Sequence, residues 1–261
     1  MLGGELTVDH VTIAGRDLRA MQRALSAVGL PTEYGGPHSN HATEMALLSF
    51  PDGSYLELIA IQPQADPAAV AAHEWRKFLE GDGGPCAWAV RPADMAAEVQ
   101  RLHAEKPIKN GRRRPDGVQL EWETAGVGEG RGTFFPFLIH DFTSRDLRAY
   151  PSGKPLTTEF TGVAKVVVAV KDLDAAVAQY QRVYGLPAPQ REDDKVLEAK
   201  LASFAGTPVV LAAPSSKQSW LTERLQRFGE APCAFVLRRA KSGKQITWLD
   251  ARKLGWHLGL E

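Results

Sequence analysis

The feature that most narrows the fold is a pattern that the chain states twice. The stretch DLRAMQRALSAVGLP, from Asp17, is echoed by DLDAAVAQYQRVYGLP, from Asp172, 155 residues later. Leu173 then falls on Leu18, while Gly185 and Pro187 fall one place beyond Gly29 and Pro31. A second echo pairs PCAWAV at 85–90 with PCAFVL at 232–237, 147 residues apart, each behind a helical stretch bearing Trp and Phe. Two echoes with similar long periods imply four related modules in the order A-B-A′-B′. They divide the chain into an N-terminal domain, 1–150, with modules 5–62 and 84–140, and a C-terminal domain, 151–261, with modules 161–214 and 231–261. The connector is Asp141–Thr161. The last module is cut short, with a turn at Lys241–Lys244 and a terminal pair near Ile246–Leu249 and Trp256–Leu260.

Within module A the pattern predicts one βαβββ unit. A first strand over Thr7–Ala14 puts Val11 and Ile13 on one face and Val8, His10 and Thr12 on the other. Asp17 caps a helix whose apolar stripe is Leu18, Met21, Leu25 and Val28, and Gly29 with Pro31 ends it. A short strand follows near Thr32–Tyr34. Strands over Glu44–Phe50 and Ser54–Ile61 are joined by the turn Pro51-Asp52-Gly53. In the last of these, Tyr55, Glu57 and Ile59 share a face opposite Leu56 and Leu58. A single helix is expected over Asp66–Glu80. Module B then reads as a strand at Cys86–Val90, a helix at Ala93–Ala104, a polar turn-rich segment at Lys106–Gly117, and strands at Gln119–Thr124 and Thr133–Ile139 around the loop Gly126–Gly132.

Composition excludes several classes. The formal net charge is zero, which argues against a general nucleic-acid or membrane-surface binder, whose affinity needs excess positive charge. Two cysteines, Cys86 and Cys233, cannot build a disulfide scaffold or a cysteine-rich zinc site, and both are expected to be inert packing thiols. The start MLGGELTVDH has no basic, apolar leader pattern, and no apolar run reaches the length of a membrane span. The expectation is a cytoplasmic protein handling a small molecule. A homodimer, with a second chain completing the shortened last module, stays open.

Asp9-His10-Val11, Gly15-Arg16-Asp17-Leu18 and Asp52-Gly53-Ser54-Tyr55-Leu56-Glu57-Leu58-Ile59-Ala60 together resemble the vicinal-oxygen-chelate superfamily of glyoxalases, bleomycin-resistance proteins and dioxygenases. More narrowly they resemble its glyoxalase-like domain group, as does Phe135-Pro136-Phe137-Leu138-Ile139-His140-Asp141, followed by Thr143-Ser144-Arg145-Asp146-Leu147-Arg148. The resemblance implies an α+β fold in which repeated βαβββ modules form two paired, cupped mixed sheets with flanking helices. It also implies a divalent metal (Fe, Mn, Zn or Ni) held by inward-facing residues of the outer strands. His10 and Glu57 match the ligand positions of module A. In module B, Ala87 or Trp88 and Phe137 stand where ligands would be, so His140 is the nearest third donor. His140 lies three residues past Phe137, and an unbroken strand would point it away from the cup unless a bulge intervenes. Lys165 and Val210 occupy the places of His10 and Glu57 in the C-terminal half, which therefore reads as lacking a metal site.

Two histidines and a carboxylate leave coordination positions open for substrate; the plainer reading is a hydrogen-bonded His10–Glu57 pair. His41 and Glu44 are candidate catalytic groups at the rim, with His38 more simply a solvent-exposed loop residue. Trp88, Trp122 and Phe137 are candidate substrate-binding aromatics, with Phe134 and Phe135 beside them, although aromatics at strand spacing are also ordinary core. Arg145 and Arg148 suit a substrate carboxylate or a tie between the connector and Asp141 or Asp146. Arg112-Arg113-Arg114 reads as an anion clamp or as solvated loop charge. The functional expectation is a metal-dependent lyase, isomerase or ring-cleaving dioxygenase acting on a small oxygenated molecule. The alternatives are a metal-free binding or drug-sequestering protein of the same fold and, more simply, an oligomerisation scaffold with no ligand.

Overall fold

A computed structural model describes residues 6–241 and 246–261. The N-terminal start and, apart from Lys241, the turn expected at Lys241–Lys244 lie outside these described residues. In chain order the N-terminal half contains β1 (Val8–Ala14), α1 (Leu18–Ser26), β2 (Glu33–Pro37), β3 (Thr43–Ser49), β4 (Tyr55–Ile61), α2 (Pro67–Ala71), α3 (Arg76–Gly81), β5 (Gly84–Val90), α4 (Met95–Leu102), β6 (Ile108–Arg113), β7 (Gln119–Ala125), β8 (Phe137–Asp141) and α5 (Arg145–Ala149). The C-terminal half contains β9 (Phe160–Ala169), α6 (Leu173–Tyr184), β10 (Gln190–Asp194), β11 (Ala199–Ser203), β12 (Val209–Pro214), α7 (Trp220–Phe228), β13 (Ala231–Arg239), β14 (Thr247–Trp248), α8 (Ala251–Leu254) and β15 (His257–Leu260).

The strands form two curled mixed sheets. The first has eight strands in the order β2-β3-β4-β1-β5-β8-β7-β6, and the second seven in the order β10-β11-β12-β9-β13-β15-β14. Among the described residues, the second order repeats the first, short of one edge strand. In each, the module's first strand pairs in parallel with its last and antiparallel with the next module's first strand. The PCAWAV and PCAFVL echo has a structural meaning. The β1–β5 register passes from Ile13↔Pro85 to Thr12↔Ala87, skipping Cys86, and the β9–β13 register passes from Val168↔Pro232 to Val167↔Ala234, skipping Cys233. Both cysteines sit at a bulge that sharpens the sheet's twist. Burial pushes the Cys86 thiol up, and pushes that of Cys233 up to about 12, so both stay protonated and act as packing groups.

Strand parity divides the core. Val11 and Ile13, with Leu56, Leu58 and Trp88, face away from the first cup and join Val166, Val168, Leu211 and Phe235 of the second sheet in one apolar cluster between the sheet backs. The helix caps are those the sequence signals. Asp17 accepts from the Ala20 amide at 2.9 Å and Asp172 from the Ala175 amide at 3.0 Å. Arg224 of α7, nearly buried, crosses between the halves: its guanidinium donates to the carbonyls of Gly83, Pro85 and Pro232.

Three sequence expectations change. The helix over Asp66–Glu80 is two short ones, α2 and α3. The break falls where the Trp75 amide donates to His73 Nδ1 at 3.2 Å instead of continuing a helical ladder. The segment Lys106–Gly117 contains β6, which pairs with β7 along its whole length as an edge strand; an edge tolerates the charges that made it read as a turn. The strand expected from Thr133 begins at Phe137, because Pro136 has no N–H to give a ladder and Gly130 and Gly132 turn the chain with positive φ. Among the described residues no helix is long and apolar enough to cross a membrane.

Candidate functional site

The inner face of the first sheet encloses a cavity of about 270 Å³. β1 contributes His10, β4 contributes Tyr55, Glu57 and Ile59, β3 contributes Thr43 and Met45, β6 contributes Arg112, and β7 and β8 contribute Trp122, Phe137 and Ile139. The register sets Thr12 opposite Glu57 and His10 opposite Tyr55 across the parallel β1–β4 pair, so the alternation read from the sequence turns His10 and Glu57 to the same side.

A line of charge runs through the site. Asp9 is fully buried, and its Oδ1 lies 2.6 Å from His10 Nδ1. Neighbouring residues of a regular strand point to opposite faces. The β1–β5 register passes from Val8↔Val90 to His10↔Ala89, leaving Asp9 unpaired, and at that irregularity its carboxylate comes beside the imidazole. Arg148 of α5 meets Asp9 with both terminal nitrogens, at 3.1 and 3.0 Å, and Arg145 adds a further ion pair. Burial alone would raise the Asp9 carboxyl. Arg148 and Arg145, with His10, outweigh it and hold the group well below the usual carboxylate range. An ionised carboxylate only accepts, so the His10 proton on this side belongs to Nδ1 and Nε2 is left facing the cavity. The ring stacks on Tyr55 with centroids 4.9 Å apart.

Across the cavity, Glu57 Oε2 lies 3.7 Å from His10 Nε2 and accepts from Thr12 Oγ1 at 3.2 Å, while Oε1 lies 3.5 Å from His38 Nε2. His38 is held by its Nδ1, 2.7 Å from Thr43 Oγ1. Burial would raise the Glu57 carboxyl, but the His38 hydrogen bond, the charges of His10 and His38 and the Thr12 hydroxyl bring it down to about 2. Burial likewise pushes His73, on the same cavity wall, down to about 4, so it is neutral at pH 7.

The Glu57 shift has a consequence for stability. The group's ordinary value is 4.5 and its folded value about 2, so its contribution is complete above pH 4.5 and is lost as pH falls to about 2. At 1.36 kcal/mol per unit this amounts to roughly 3 kcal/mol. Urea unfolding from pH 5 to pH 2 is expected to show the wild type losing about that much more stability than Glu57→Gln. A gap between the two proteins that stays constant over that window would contradict the assignment.

The expected metal triad is not assembled. Phe137 and Ile139 line the cavity, so His140 points to the other side of β8, where its Nδ1 lies 3.4 Å from Glu123 Oε1. No bulge turns it in. His10 Nε2 and His38 Nε2 face different oxygens of Glu57, at 3.7 and 3.5 Å. Among the described residues no group of three or more His, Cys, Asp or Glu is arranged to hold a metal ion. With His140 turned away, the expected triad of His10, Glu57 and His140 does not fit the implied metal.

Other expected site residues sort differently as well. Trp122 and Phe137 do line the cavity, whereas Trp88 is fully buried in the cluster between the sheets because its strand position faces backwards. Glu44 points away from the cavity, since Thr43 and Met45 on either side of it face inward, and it accepts from the Tyr34 hydroxyl at 2.9 Å. His41 is exposed at the loop tip with φ of 57° and does not line the cavity, a place that His38 takes instead. Arg145 is consumed by Asp9, Asp141 and the Gly53 carbonyl and is not among the cavity residues. The connector arginines therefore tie to an aspartate of β1 as well as to Asp141. Sequence reasoning missed Asp9, His73 and the inward turn of Arg112. The usable signal for Arg112 was its spacing of two from Asn110, which puts both on one face of a strand.

In the second sheet, Lys165 and Val210 take the register places of His10 and Glu57, and the Lys165 ammonium donates to the Thr207 carbonyl at 2.8 Å.

Comparison with known proteins fits this architecture. The sequence pattern of a glyoxalase-like domain matches residues 8–184. A search of curated proteins returns no match. The fold is similar to that of a hypothetical protein from Staphylococcus aureus, with a TM-score of 0.71 at 14% identity over 98% of this chain and 99% of that one. It is also similar to a xylose isomerase-like TIM barrel/4-hydroxyphenylpyruvate dioxygenase fusion protein, with a TM-score of 0.54 at 15% identity over 92% of this chain and 38% of that one. Methylmalonyl-CoA epimerase from Mycobacterium tuberculosis aligns with 41% of this chain and 91% of its own length, at 18% identity and a TM-score of 0.35.

Proposed function

We propose, for a chain that belongs to the glyoxalase-like domain family of the vicinal-oxygen-chelate superfamily, that the N-terminal cup is an active site for proton transfer on a small oxygenated molecule. The chemistry is of the lyase or isomerase type. The observation that carries this reading is the Asp9–His10–Glu57 line, a buried and oriented imidazole facing an ionised carboxylate on the wall of one cavity. Asp9 fixes the tautomer, which leaves His10 Nε2 as the base that takes a proton from a carbon or hydroxyl next to a carbonyl. Glu57 then stabilises the imidazolium that forms. Arg131, which lines the same cavity, offers N–H donors to the oxygen on which negative charge develops. Ring cleavage with O₂ would need a metal ion, for which the expected triad with His140 is not assembled, and no step is routed through one.

The test is deuterium wash-in. Wild-type protein in D₂O is incubated with a panel of small 2-oxo, 2-hydroxy and 3-oxo acids, and loss of C–H signal is followed by ¹H NMR. Exchange of at least one compound at catalytic protein concentration is expected. Met45, Trp122, Phe137 and Ile139 give the cavity an apolar wall that also suits a metal-free binding protein. Stabilisation of the protein by panel compounds with no exchange in any of them would favour that second reading.

A further inference from the structure

We infer that Arg112 is the anion-recognising group of this cavity, so the molecule handled at His10 and Glu57 carries a carboxylate. The inference rests on the reading of the cup as a small-molecule site and deepens it by naming the ligand class. The three consecutive arginines fare differently. Arg113 is exposed. Arg114 is engaged with Asp116 and with the carbonyls of Leu147 and Pro151. Arg112 is 4% exposed and lines the cavity. One of its terminal nitrogens donates to the Gly35 carbonyl, and the other, Nη2, has no hydrogen-bond partner among the described residues.

A buried guanidinium without a counter-ion is costly, and the chain's other buried cation at this site shows the usual remedy. Arg148 makes one two-pronged contact with Asp9 and another with Asp141. No Asp or Glu side chain lies within ion-pair distance of Arg112 among the described residues. Glu57, the buried anion of the cavity, is already engaged by Thr12 and lies 3.5 Å from His38 Nε2. The cavity wall therefore holds a cation with a buried, unpaired donor and, at Glu57, a carboxylate that is already engaged. A ligand carboxylate supplies the missing acceptor to Arg112 in the cavity that His10 also lines. The volume, about 270 Å³, lies at the small end of ligand sites. A single unpaired terminal nitrogen in a cavity that already holds the Glu57 carboxylate favours a monoanionic carboxylate over a phosphate, whose second charge would add to that of the glutamate.

Benzoate and benzamide, nearly equal in shape and differing in charge, are the probes, titrated by calorimetry into the full chain. Wild type is expected to bind benzoate at least tenfold more tightly than benzamide. Arg112→Gln is expected to erase that preference, while Arg113→Gln keeps it. A wild type that does not prefer benzoate, or an Arg112→Gln protein that retains the preference, overturns the inference. Should Arg112→Gln fail to fold, as judged by circular dichroism, the wild-type comparison decides alone. His10→Ala is expected to keep the benzoate preference. Failure of the anion site with wash-in intact therefore counts against this inference only, and the reverse counts against the proposed chemistry only.

Discussion

Replacing His10 with alanine is expected to slow deuterium wash-in by about 10²–10⁴-fold, the usual contribution of a positioned general base. The imidazole is 3% exposed, fixed at Nδ1 by Asp9 and stacked on Tyr55, so it has one nitrogen to offer and one direction in which to offer it. Removing it leaves Glu57 in place, but Glu57 is a poor substitute. A carboxyl held at about 2 is a weak base, and its oxygens are already engaged by His38 and Thr12. The loss should fall on kcat with benzoate affinity largely kept, since His10 acts on the reacting proton and not on the anchoring charge. Wash-in that survives His10→Ala within a factor of three would remove His10 from the chemistry.

The second large effect is expected at Asp9. Asp9→Ala should destabilise the protein by about 3–5 kcal/mol, the cost of leaving a buried charge without its partner. Arg148 keeps Asp141, but loses the other half of its contacts in a place where it is almost wholly buried. Arg145 loses the same partner. Urea unfolding at pH 7 measures the change. The double substitution Asp9→Ala with Arg148→Met should cost less than the sum of the two single ones, because the orphaned guanidinium goes as well. Additive costs, or a loss under 1 kcal/mol for Asp9→Ala alone, would mean that this ion cluster does not hold α5 against the sheet. The cluster links stability to chemistry, because the same aspartate that anchors the connector helix sets the proton on His10.

Much of this arrangement was legible in the chain, and the residues show why. His10 and Glu57 could be placed on one face because a strand has a strict period of two, and no bulge lies between Thr12 and its partner Glu57. The cap at Asp17 is local and was read directly, and its echo Asp172 caps α6 in the same way. In the observed strands the same parity rule turns Glu44 and His140 outward, although Glu44 was expected as a catalytic group at the rim and the family resemblance pulled the expectation towards His140 as a ligand. Asp9 was hidden by an irregularity in pairing that a two-residue period does not anticipate. Arg112 was hidden because β6 is an edge strand, whose polar composition matches that of a loop until its partner β7 is known. His38 and His41 flank one loop, and only the turn at positive φ decides which reaches Glu57. Tertiary contacts of this kind, such as the 139-residue separation between Asp9 and Arg148, have no local signature.

The central claim is that Asp9 holds the His10 proton on Nδ1 and leaves Nε2 as the base. Long-range ¹H–¹⁵N correlation of the labelled imidazole, followed across pH, reads that tautomer directly. Neutral His10 is expected to carry its proton on Nδ1, with Nε2 bare, and Asp9→Asn is expected to disturb this preference. A neutral His10 protonated on Nε2 in the wild type would contradict it.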